Sequence, residues 1–160
     1  MEQKIILMHH GNTAHNFHFG GKLLTQKGYT EVVNTIKRLV EMQILSKTGS
    51  LTYLCSSFQP WCTSSAYACS QVLNKIDCFV SFMLSDNYNM GEILKLIEKK
   101  LIKYSTLIII THINVLEEIQ TNLIYKFWED EPFNKEIIQT SVSVRVLFPN
   151  SKKLIISGPE

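Results

Sequence analysis

Arginine is nearly missing from this chain: Arg38 and Arg145 are the only two, and the rest of the positive charge is lysine. With a formal net charge of +2, the lysines make no basic stripe, which argues against nucleic acid as a partner. Long apolar runs are missing as well. No segment approaches the length of a membrane span, and the run at residues 1–8 is too short for a signal peptide and lacks a cleavage pattern. Cysteine is confined to Cys55, Cys62, Cys69 and Cys78, whose spacing fits no zinc signature. Without a secretion signal, reduced thiols and a cytoplasmic setting are expected. Proline and glycine nowhere cluster into a linker, and there is no internal repeat or low-complexity tract.

The chain instead has enough apolar material for a core. Hydrophobic residues make up 45% and charged residues 19% of the sequence, the balance of a globular protein, and 160 residues fit one domain, 1–160. Short apolar runs predict strands at Lys4–Met8, Leu51–Cys55, Phe79–Leu84 and Thr106–Thr111. The last is apolar enough to predict a central strand covered on both faces. Helical periodicity lies between them: Val32, Ile36 and Leu39 after a Thr25 cap, Ala66 and Cys69 after Pro60, Ile93 and Ile97, and Val115, Leu116 and Ile119 behind Asn114 as a cap. Val142–Phe148 and Leu154–Ile156 read as a terminal hairpin, and residues 9–25 and 128–134 as loops. Strands alternating with helices predict an α/β fold: a single-domain three-layer sandwich with a mostly parallel central sheet.

Two histidines occupy the positions where such a sheet places ligand-contacting side chains. His10, followed by Gly11, comes after the first strand, and His112 comes after Thr106–Thr111; each precedes a helix. Two imidazoles converging on an anion site suggest phosphoryl transfer, one as nucleophile and the other as its partner. His15 and His18 read as exposed loop histidines, and no metal site is expected.

The segment Leu-Met-His-His-Gly-Asn-Thr-Ala-His-Asn, from Leu7 to Asn16, resembles the signature of the histidine phosphatase superfamily, the phosphoglycerate mutase-like proteins. There a strand ends in Arg-His-Gly, followed by an acidic or amide residue, Ser or Thr, and an Asn. The resemblance extends through Leu24-Thr25-x-x-Gly28, Leu54-Cys55-Ser56-Ser57, Leu84-x-Asp86 with Gly91 beyond, and Thr111-His112, with a weaker echo at 141–148. The length is similar to that of the short members, which include phosphohistidine phosphatases. The resemblance implies His10 as nucleophile, His112 as stabiliser of the phosphoryl group or leaving oxygen, and Asp86 as acid. It also implies a pocket lined by His9, Gly11, Asn12, Thr13 and Asn16. No metal or organic cofactor is implied, and the partner would be a phosphorylated small molecule or phosphoprotein.

The scarcity of arginine matters most here. The family holds the phosphoryl oxygens with two arginines, but His9 stands at the first of those positions and Pro60, or with a one-residue slip Trp61, at the second. A charge-assisted hydrogen bond to a buried anion is worth roughly 1.5–3 kcal/mol, so a slow phosphatase is expected, with His9 protonated or Lys22 or Lys27 as stand-in cations. The alternative is an inactive pseudophosphatase that binds a phospho-ligand or a protein.

Overall fold

A computed structural model describes every residue except Met1, Phe19, Ser50, Lys75, Asp86, Asp130, Glu131, Phe133 and Glu160. The candidate acid Asp86 therefore lies outside the described residues. The central sheet has the order β5-β4-β6-β1-β8-β9-β7. Its left half holds β1 (Lys4–His9), β4 (Thr52–Ser57), β5 (Asp77–Ser81) and β6 (Thr106–Thr111), all parallel to one another. On the right, β8 (Val144–Phe148) runs antiparallel to β1 and to β9 (Lys153–Gly158), and β7 (Asn134–Gln139) closes the edge parallel to β9.

Alternation along the central strands builds two cores. Ile6, Met8, Ile108 and Ile110 meet α1 (Gln26–Glu41) and α2 (Pro60–Val72) on one face. Ile5, Leu7, Leu107 and Ile109 meet α3 (Met90–Leu101) and α4 (Ile113–Trp128) on the other. This is why β1 and β6 are apolar at every inner position: both faces are covered. The expected three layers and mostly parallel sheet are what the structure has. Cys62, Ala66 and Cys69 are buried on α2, as their spacing suggests.

Several local readings need correction. Residues 13–24 are not a loop but a small hairpin, β2 (Thr13–Asn16) paired with β3 (Gly21–Leu24), turned at Gly20 with φ +74. The third parallel strand ends at Ser81, whose side chain accepts the Met83 N–H at 3.2 Å and starts a 3-10 turn at Phe82–Leu84. Thr25 does cap α1, accepting the Gly28 N–H at 2.9 Å, but the N-cap position of α4 is His112 rather than Asn114, with no side-chain cap bond.

The helix after β1 covers one face and the helix after β6 the other. The chain thus leaves these two adjacent strands in opposite directions and opens a crevice beyond their C-terminal ends, where ligands bind in open α/β sheets.

Candidate active site

Three neighbouring strands deliver the side chains at this crevice. His10 follows β1, His112 follows β6, and Trp61 stands in the first turn of α2, after β4. The His10 and His112 ring centroids are 5.7 Å apart, and Trp61 lies 6.2 Å from His10 and 6.0 Å from His112, edge-on to both. His9 packs against His10 with centroids 4.0 Å apart. Beside them a cleft of about 460 Å³ is lined by His9, His10, Gly11, Asn12 and Thr13, with Lys27 and Glu31 of α1 and Ser141–Ser143 facing them.

The turn holding His10 is fixed by a close approach of two glycines. A Cβ on Gly11 would lie 2.2 Å from the Gly28 carbonyl oxygen, and one on Gly28 would lie 2.2 Å from the Asn12 carbonyl oxygen. Only a residue without a side chain fits at either place. The Gly11 N–H donates to Ser65 Oγ at 3.2 Å, and Ser65 donates onward to the Trp61 carbonyl at 2.8 Å. The Asn12 N–H goes to Glu31 Oε2 at 3.0 Å, and its backbone and side-chain oxygens are within 3.1 Å of the Thr25 hydroxyl. Asn12 thus ties the turn to the start of α1.

The protonation pattern follows from these contacts. His10 Nδ1 lies 2.8 Å from the Gly11 carbonyl. A carbonyl can only accept, so the proton sits on Nδ1 and Nε2 keeps its lone pair. Burial lowers the His10 pKa; the Gly11 bond opposes this, while His112 and Lys22 add to it. His9 is pushed from 6.5 to about 4, first by burial and then by the His10 and His112 rings. The idea of a protonated His9 in an arginine's place is thereby corrected for the free protein: a half-buried imidazole among imidazoles has nothing to stabilise its charge. His112 Nε2 is buried without a hydrogen-bond partner.

Of the residues singled out from sequence, His9, His10, Gly11, Asn12 and Thr13 line one cleft, and His112 meets His10 edge-on. Asn16 stands at the far end of β2, paired with Gly21 and outside that lining. His15 and His18 are exposed, His15 against Phe17 on the hairpin. Among the described residues no three His, Cys, Asp or Glu side chains are arranged to hold a metal ion. Sequence reasoning treated Trp61 mainly as packing and missed Ser65 and Glu31. No local pattern marks a serine four residues after a tryptophan as a tether to a distant turn.

No family model matches the sequence, and no curated protein matches it. Solved structures do. A protein histidine phosphatase SixA complexed with tungstate superposes with a TM-score of 0.69 at 13% identity, over 96% of this chain and 94% of that one. SixA from Agrobacterium tumefaciens gives 0.67 at 15% identity, covering 92% of both chains. Phosphoglycerate mutase from Plasmodium falciparum gives 0.58 at 15% identity, over 98% of this chain and 89% of its own.

The chain has the histidine phosphatase fold. Full-length coverage of the SixA structures fits a histidine phosphatase fold without large insertions. Within that fold His10 and His112 occupy the crevice between β1 and β6. Among the described residues no helix is long and apolar enough to cross a membrane.

Proposed function

We propose that this protein is a phosphatase of phosphohistidine or phosphomonoester substrates, with His10 as the nucleophile. The observation that carries the reading is the His10 ring itself, its Nδ1–H on the Gly11 carbonyl and its bare Nε2 beside His112. The Nε2 lone pair attacks phosphorus, the bond from phosphorus to the leaving nitrogen or oxygen breaks, and the leaving atom takes a proton from solvent water. Water then attacks the phosphorus of phospho-His10, the P–N bond breaks, and free phosphate and the imidazole are regenerated. His112 faces the same group and stabilises it or the leaving atom. The SixA structures, one described as a phosphohistidine phosphatase and one as a protein histidine phosphatase, support the same chemistry by fold.

The reaction is slow in this reading, because no arginine lines the cleft; Lys27 lines it, set 3.8 Å from Glu31, and Lys22 acts on His10 from β3. A binding module without turnover is the second reading, favoured by Trp61 packed against both histidines. Trapping under alkaline denaturing conditions with a phosphorylated imidazole or aryl phosphate separates the two. An acid-labile, base-stable phosphoryl adduct that His10→Ala removes supports the phosphatase, and no adduct at enzyme-equivalent concentrations refutes it. The partner is accordingly a phosphorylated small molecule or phosphoprotein.

A further inference from the structure

Trp61 packs against both histidines of the candidate site. Its centroid and those of His10 and His112 form a nearly equilateral triangle with sides of 6.2, 6.0 and 5.7 Å. The centre of such a triangle is only about 3.5 Å from each ring centroid, while non-bonded atoms themselves need roughly 3.5–4.0 Å between nuclei. A tetrahedral oxyanion does not fit between the three rings.

Near the C-terminal ends of β4 and β6 two polar atoms are left without partners. Among the described residues, His112 Nε2 and Ser56 Oγ are the buried side-chain polar atoms with no hydrogen bond. They come from adjacent strand ends: Ser56 of β4 is in register with Ile110 of β6, and His112 follows β6, two residues beyond Ile110. Buried polar groups are almost always paired, so these two atoms offer hydrogen-bonding capacity to an oxygen-rich ligand. The backbone of Trp61 is meanwhile held, because Ser65 joins its carbonyl to the Gly11 N–H. Movement here is therefore rotation of the indole rather than displacement of α2.

We infer that Trp61 is the gate of this site: the indole covers His10 and His112 in the free protein and swings aside to admit a tetrahedral oxyanion, which then takes the hydrogen-bonding capacity of His112 and Ser56. The inference rests on the phosphoryl-site reading above. Trp61 is in this sense a specificity-determining residue, since an anion enters only if its contacts exceed those of the displaced ring.

Tungstate and orthovanadate are the probes. Trp128 serves as an internal reference, being buried with its Nε1–H on the Pro149 carbonyl at 3.1 Å. In wild type, saturating tungstate is expected to raise the acrylamide quenching of the Trp61 emission while Trp128 stays protected. Trp61→Ala is expected to bind tungstate on the order of tenfold more tightly, with Trp61→Phe between, and His112→Ala in the Trp61→Ala background should reverse the gain. Equal affinity in wild type and Trp61→Ala, together with unchanged quenching, overturns the gate. Absence of binding to either protein overturns it too. The phosphatase reading is decided separately by the trapped adduct on His10, so the two failures are distinguishable. The wild-type quenching measurement stands even if Trp61→Ala folds poorly.

Discussion

His9 and His10 are adjacent in sequence yet are placed for different work. The His10 Nδ1–H is engaged by its neighbour's carbonyl, which orients the ring and leaves Nε2 unprotonated. Its pKa is lowered by burial, so the acid limb of kcat/KM should lie below pH 6.5, the usual imidazole value. A pH–rate profile with its acid limb at or above pH 6.5 would contradict the site geometry. His9 has a stability consequence. Its folded pKa of about 4 lies below its ordinary 6.5, so between these values the unfolded chain binds more protons than the native one. The stability it contributes is fully present above pH 6.5 and is lost as pH falls towards 4. Denaturant melts at pH 7.5 and 5 should show this decline in wild type and a shallower one in His9→Gln. The slope does not vanish, because His10 shifts in the same direction.

At the level of elements, the site depends on how the β1–α1 turn is clamped. Gly11 and Gly28 meet backbone to backbone, and an added Cβ would press on a carbonyl rather than on a side chain that could move aside. Gly11→Ala and Gly28→Ala are therefore expected to cost at least about 2–3 kcal/mol each, or to abolish folding. Thr25→Ala, which removes the cap to the Gly28 N–H together with the hydroxyl's bonds to Asn12, should cost about 1–2 kcal/mol. Chemical denaturation of the three variants checks the order, and a Gly28→Ala protein as stable as wild type would overturn the clamp. Ser65→Ala is a milder change with a different readout. It leaves the Gly11 N–H without its acceptor, so it should lower turnover, or phosphoryl capture by His10, more than it lowers stability.

For the molecule as a whole, one sheet serves two cores, and the middle strands carry both. Ile108 is fully buried in the α1–α2 core and Ile109 nearly so in the α3–α4 core. Truncating Ile108 to Ala is expected to destabilise by about 2–5 kcal/mol, measurable as a fall in the denaturation midpoint with little change in m.

By itself the sequence determined what depends on local pattern. Apolar runs made β1, β4 and β6 legible, Thr25 and Pro60 marked helix starts, and the glycine after His10 marked a turn. The placement of His10 and His112 at strand ends followed, because residues just beyond parallel strands collect at one edge of the sheet. Strands without an apolar period were not legible. The exposed strand β7 exists because β9 supplies its hydrogen bonds, and β2–β3 exists because Gly20 permits the turn. The contacts that decide the chemistry were hidden as well: Trp61 against two imidazoles, Ser65 bridging to Gly11, and the depressed pKa of His9. Each joins residues from separate elements, and desolvation is a property of the assembled neighbourhood rather than of any segment, so only the tertiary structure could decide them.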